Sequence, residues 1–183
     1  SSLAREHGLL LHVDGARLAN AAAALNLSLR DTCGPADIVS FGGTKNGLLF
    51  GEAVVVLNPG LVDGLPYLRK QSLQLASKMR FLAAQFDALL GDELWRRCAE
   101  NANAMAARLA DAVRDVPGLQ LTRPVQTNAV FATLPRAATT ALLGRFAFYV
   151  WDETIGEVRW MCSWDTTEED VNGFAAAVAD ALA

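Results

Sequence analysis

The chain has 183 residues, 52% of them hydrophobic and 20% charged, with a formal net charge of −4. That content excludes a disordered segment, and three scattered cysteines exclude a disulfide scaffold. Mild acidity excludes a general electrostatic attraction to nucleic acid or to an anionic membrane. No apolar run reaches the roughly 18 residues of a membrane span, and no basic signal-like segment opens the chain. Cys33, Cys98 and Cys162 form no C-x-x-C pair, which suits a reducing, cytoplasmic setting. The two histidines, His7 and His12, lack a companion thiolate cluster, so the pattern of a structural zinc site is missing.

In chain order, residues 1–7 read as the last turns of a helix stopped by Gly8. Residues 9–13 form an apolar run, broken only by His12, that ends at Asp14-Gly15. This is the pattern of an inner parallel strand with helices on both faces. Residues 16–27 are alanine-rich and predict a helix. Gly34-Pro35 breaks the chain before a second strand, residues 37–41, which runs into Gly42-Gly43. Residues 53–57 are a third strand, closed by Asn58-Pro59-Gly60. Strand, helix and strand in succession indicate α/β architecture. Three strands leave apolar edges open, so the pattern anticipates partners from further residues or another chain.

After Pro66 the character changes. Leu75, Met79, Leu82, Phe86 and Leu89 recur at helical spacing, and Gly91-Asp92 ends one helix and opens the next. Leu94, Cys98, Met105, Leu109 and Val113 mark a second long helix ending at Pro117-Gly118. Shorter strands follow at 128–134, 146–151 and 157–162, the last two separated by Gly156. Thr166-Thr167-Glu168-Glu169 reads as the capping-box opening of a final helix. The expected organisation is residues 1–66 as part of a large α/β domain, then 67–183 as long helices plus a small α+β domain.

Two segments sit just past predicted strand ends, where open α/β sheets bind ligands. They are His12-Val13-Asp14-Gly15-Ala16-Arg17 and Ser40-Phe41-Gly42-Gly43-Thr44-Lys45-Asn46-Gly47. Glycines on both sides of Lys45 permit close backbone approach. Lysine occurs three times against thirteen arginines, so one in such a loop is conspicuous. Partial desolvation would lower the pKa of such a lysine and let it form a Schiff base. A carboxylate at the neighbouring strand end would hold a pyridinium nitrogen protonated, and together they suit pyridoxal phosphate. An ordinary Asp-Gly turn and a surface loop compete with that reading, and spacing alone leaves both standing. G-x-x-x-x-G-K-[ST] is absent, which argues against an NTPase phosphate loop.

Four ordered segments carry a more specific signal. H-V-D-G-A-R-L-A-N-A at 12–21, S-F-G-G-T-K-N-G at 40–47, R-K-Q-S-L-Q-L-A-S-K-M-R-F at 69–81 and V-R-W-M-C-S-W-D-T-T-E-E-D-V at 158–171 span nearly the whole chain. They resemble the low-specificity L-threonine aldolase and β-eliminating lyase family of fold-type-I pyridoxal 5′-phosphate enzymes. The resemblance implies the second half of a transferase-like α/β fold. In it Lys45 matches the cofactor-binding lysine and Asp14 the carboxylate facing the pyridine nitrogen. Ala16 matches the small residue against which the ring lies, and Arg17 an arginine near ring and substrate carboxylate. Arg159 matches the arginine that grips the substrate α-carboxylate, a pairing suited to bidentate contact. Val158 and Trp160 alternate with Arg159 and should face the opposite way.

The resemblance implies cleavage of L-threonine or allo-threonine to glycine and acetaldehyde, in a homodimer or homotetramer, with no metal. Asp14, Lys45 and Arg159 would equally serve β-elimination or transamination. A cofactor-free, non-catalytic fragment is the third reading. Lys70, Lys78 and Arg80 read mostly as an exposed basic helix face, and His12 as a satisfied core or supporting histidine rather than a base. Trp151, Trp160 and Trp164 read as small-domain core. Family members are about twice this length, and the matching segments belong to their second half. The abrupt Leu9-Leu10-Leu11 and the missing initiator methionine then read as a chain lacking its N-terminal half.

Overall fold

In the computed structural model, which describes residues 1–183, helix α1 (Ser2–Glu6) ends as expected, with Gly8 at φ +64°. Strand β1 (His12–Gly15) follows, then α2 (Leu18–Leu25) and α3 (Leu29–Cys33). Strand β2 (Ile38–Gly42) runs parallel to β1, and β3 (Glu52–Val56) pairs antiparallel with β2, giving the order β1-β2-β3. The parallel crossover is the strand–helix–strand unit that the apolar pattern anticipates. Val39 and Phe41 are buried on one face with Leu18, Ala19 and Ala22 of α2.

The other face is open. His12, Asp14, Glu52 and Val54 lie on it and are exposed. Strand β1 lies at the edge of a three-stranded sheet, so the open apolar edge that the pattern anticipates is present. Leu9 and Leu10 precede the ladder and are exposed, because their backbone has no neighbouring strand to extend along.

Asp37 ties the opposite end of this sheet together. Its carboxylate accepts the Leu11 N–H at 2.7 Å and the Asn58 side-chain amide at 2.7 Å. Its carbonyl accepts the N–H groups of Leu57 and Asn58. The Leu11 and then the Asn58 hydrogen bonds favour the charged form and hold the carboxyl below its ordinary pKa.

Three helices follow: α4 (Leu65–Gln71), α5 (Met79–Leu90) and α6 (Leu94–Val113). Leu75, expected within a helix, lies in the turn between α4 and α5. The Leu73 N–H bonds to Lys70 O and the Gln74 N–H to Arg69 O, with Leu73 at φ +58°. That paired cap ends α4, and α5 begins only at Met79, one turn after the apolar period opens at Leu75. Asp92 and Glu93, both at positive φ, make the kink between α5 and α6.

The remaining chain forms a four-stranded antiparallel sheet. Its strands are β4 (Gln120–Leu121), β5 (Ala129–Thr133), β6 (Tyr149–Asp152) and β7 (Glu157–Met161), ordered β4-β5-β7-β6. Helices α7 (Arg136–Leu143) and α8 (Glu168–Leu182) complete it. Leu109 and Val113 of α6, Val130, Leu142, Val158, Trp160, Val171 and Val178 are buried in one core. The two-residue β4 and the Ala/Thr-rich α7 carry too little apolar periodicity to be read from sequence. The capping box of α8 sits one residue later than expected. Thr167 Oγ1 accepts the Asp170 N–H at 3.1 Å, and Asp170 accepts the Thr167 N–H at 2.9 Å. Thr166 instead accepts the Ser163 N–H. Of the three tryptophans expected in this core only Trp160 is buried; Trp151 and Trp164 are exposed.

The chain divides into two compact units, Ser1–Arg97 and Cys98–Ala183. The boundary expected at 66/67 marks where strands give way to helices, whereas packing groups α4 and α5 with the first unit. No helix is long and apolar enough to cross a membrane.

Two outcomes follow from this packing. Leu142→Ala should cost about 2–5 kcal/mol in urea unfolding, whereas Val54→Ser on the open face should stay within about 0.5 kcal/mol. Because the Asp37 pKa is depressed on folding, its stabilisation is full above the unfolded value near 4 and is lost as pH falls through the folded value. Stability curves of wild type and Asp37→Ala should therefore converge as pH falls below the ordinary carboxylate range, and a constant gap from pH 6 downward would refute this assignment.

Candidate active site

The turns that leave β1 and β2 meet backbone to backbone. A Cβ on Gly42 would lie 2.4 Å from the Ala16 carbonyl oxygen and 2.8 Å from Ala16 Cα, so no side chain fits there. A Cβ on Gly15 would likewise lie 2.8 Å from the Ser40 carbonyl oxygen. The two segments singled out in the sequence are thus one junction at the carboxyl end of the parallel pair.

Asp14 stands opposite Ser40 in the ladder. Its Oδ1 accepts the Ala16 N–H at 3.1 Å, which orients the carboxylate at the head of the turn while leaving it exposed. His12, two residues earlier on the same face, shares a 2.9 Å hydrogen bond between Nε2 and Ser40 Oγ. It is an exposed member of the open face, not a core histidine. Arg17 is half-buried at the start of α2.

Lys45 is the middle residue of the 3-10 turn Thr44–Asn46 and is exposed. Its neighbours are clamped. Thr44 donates its N–H and its hydroxyl to Gly51 O at 3.1 and 3.2 Å, and its Oγ1 lies 3.1 Å from the Gly51 nitrogen. Asn46 is buried and donates its side-chain amide to Trp95 O at 3.0 Å. Glu52 accepts the Gly43 N–H at 3.1 Å. A Cβ on Gly43 would strike Leu48 and Gly51 O at 2.5 and 2.6 Å, so glycine is required there too. The loop is fixed on both flanks, and the amine projects from a rigid base. Sequence reasoning missed this clamp. Asn46 lies inside the motif, but its partner is a backbone carbonyl on a distant helix, which leaves no residue-type signal.

Arg159 belongs to the second unit, on β7, while Asp14, Ala16, Arg17 and Lys45 gather in the first. Val158 and Trp160 face the opposite way into the core, as alternation requires. The Arg159 Nε is buried without a hydrogen-bond partner. Lys70, Lys78 and Arg80 are exposed.

The beta-eliminating lyase family model matches residues 1–137. The chain is 47% identical over 180 residues to the low specificity L-threonine aldolase of Pseudomonas aeruginosa, covering 96% of this chain and 51% of that protein. It is 43% identical over 181 residues to the low specificity L-threonine aldolase of Pseudomonas sp. strain NCIMB 10558, covering 97% and 52%. The solved threonine aldolase of Leishmania major aligns with a TM-score of 0.87 at 32% identity, over 98% of this chain and 54% of that one. The chain therefore spans about half the length of the curated relatives it matches. Its architecture is part of the fold-type-I fold of pyridoxal phosphate enzymes. With the Asp14 and Lys45 motifs joined at one junction and a family match over three quarters of its length, the chain belongs to the beta-eliminating lyase family.

Proposed function

We propose that the chain is part of a pyridoxal 5′-phosphate-dependent lyase that cleaves the Cα–Cβ bond of L-threonine or allo-threonine, giving glycine and acetaldehyde. The observation that carries this reading is the Ala16–Gly42 junction, which sets exposed Lys45 and exposed Asp14 at one end of the parallel strands. The donor set fits the cofactor: a primary amine for its aldehyde, a carboxylate for its ring nitrogen, and a small side chain at Ala16. Bound there, the cofactor supplies an electron sink for the negative charge left at Cα.

The chain's own groups do the rest. Lys45 Nζ anchors the cofactor covalently from a loop that the Thr44 and Asn46 hydrogen bonds hold still. Asp14, oriented by the Ala16 N–H, keeps a proton on the ring nitrogen. Arg17, three residues after Asp14 at the start of α2, contributes positive charge toward cofactor and substrate carboxylate. Arg159 takes the substrate α-carboxylate, for which a guanidinium fork is suited. The family's description as beta-eliminating lyases supports β-elimination as the second reading.

A homodimer or homotetramer is part of the same proposal. Leu49, Phe50, Tyr67, Leu68, Leu73 and Phe81 are all exposed, Leu49 to 91%, and such apolar surface favours association. The cytoplasm is the proposed location, because an odd number of scattered cysteines, Cys33, Cys98 and Cys162, suits a reducing compartment.

Incubating the chain with pyridoxal 5′-phosphate, reducing with borohydride and mapping peptides tests the reading. The expected product is an adduct on Lys45 that Lys45→Ala abolishes. An adduct persisting in Lys45→Ala would sink the anchor assignment, and no adduct in the wild type would favour a cofactor-free fragment. Acetaldehyde release from L-threonine separates aldol cleavage from β-elimination or transamination. Asp14→Asn should keep the Lys45 adduct yet lower that release by roughly 100-fold, because a neutral amide does not stabilise the protonated ring.

A further inference from the structure

One face of the second sheet carries rings and guanidinium groups that its core does not use. Phe131 on β5 and Tyr149 on β6 stand directly opposite Arg159 on β7. Trp151 is the unpaired residue of a bulge, since Val150 pairs with Val158 and Asp152 with Glu157. Bulges re-aim side chains. Here the Arg159 Cζ lies 4.4 Å from the Trp151 ring centroid and 5.4 Å from that of Tyr149. Trp151 also meets Phe131 edge-on at 5.5 Å. Yet Trp151 is 47% exposed and Tyr149 is 67% exposed, so burial does not account for these rings.

A second guanidinium on the face shows the contrast. Arg123 lies 4.2 Å from the Phe131 centroid, but it also binds Glu157 through Nη2 at 2.6 Å and Nε at 3.3 Å. Glu157 is buried and accepts the Thr122 hydroxyl at 2.6 Å as well. The nearby carboxylate is therefore already committed. Arg159 has only π faces around it, and its buried Nε lacks an acceptor. Aromatic faces attract a guanidinium and restrain its plane without occupying its N–H groups. A carboxylate neighbour would occupy them.

We propose that Trp151, supported by Tyr149, is a positioning residue that fixes the plane of the Arg159 guanidinium for the substrate α-carboxylate. This rests on the assignment of Arg159 to that carboxylate. Held between rings, the arginine has already lost the side-chain freedom that it would otherwise lose on binding.

The test follows the Arg159 Nε–H resonance of the 15N-labelled chain, identified by its loss in Arg159→Lys, during titration with L-threonine and with L-threoninol. L-threonine should shift it and L-threoninol, which has no carboxylate, should not. Trp151→Leu should weaken L-threonine binding about tenfold, while Trp151→Phe, which keeps a π face, should stay within about threefold of wild type. If Trp151→Leu unfolds, Tyr149→Leu at the exposed edge strand applies the same comparison, with a smaller loss expected. Unchanged affinity in the leucine variants overturns the positioning role and leaves Arg159 as the carboxylate site. No response of Arg159 to L-threonine in the wild type overturns both.

Discussion

The backbone of Gly42 lies against Ala16 so closely that any side chain would strike the carbonyl there. Everything at the candidate site descends from this contact. It draws the turn after β1 onto the end of β2, and so brings a motif built around Asp14 beside one built around Lys45. Gly15 and Gly43 extend the same requirement to the Ser40 and Gly51 carbonyls. These glycines are needed because backbone must touch backbone, not because the chain needs flexibility. Thr44, Asn46 and Glu52 then hold the loop, which leaves the lysine as its exposed member.

The second unit solves a different problem with the same strand alternation. One face of its sheet packs Val130, Val158 and Trp160 against helices, and the other presents Phe131, Tyr149 and Arg159. Two arginines on that face have opposite fates. Arg123 is neutralised by buried Glu157, whereas Arg159 meets rings alone. The Arg159 guanidinium, stacked on rings, has no carboxylate partner, whereas that of Arg123, paired with a buried glutamate, does.

Much of this was legible in the residues. Helix α6 matches its apolar period from Leu94 to Val113, and β2, β3, β5 and β7 fall within a residue or so of their expected ends. Long runs of one period are dictated by local burial, so they survive translation into three dimensions. Leu75 departs from its pattern because α5 begins only at Met79, after the turn that follows the α4 cap. Trp151 and Trp164 were expected inside, since size and hydrophobicity say nothing of a bulge that turns a ring outward. The resemblance singled out Asp14, Ala16, Arg17, Lys45 and Arg159 as candidates, but not Asn46, whose hydrogen bond to Trp95 leaves no residue-type signal.

By itself the sequence determined the alternation of strand and helix, the family, and the residue types on which the proposed cofactor chemistry rests. Those are properties of neighbours along the chain: periodicity, glycine at a turn, a lysine between glycines. Tertiary structure alone decided which sheet face stayed open, which carbonyl holds Asn46, and which of two arginines is ion-paired. Each of those depends on groups distant in sequence, and only folding brings their hydrogen bonds and rings within reach.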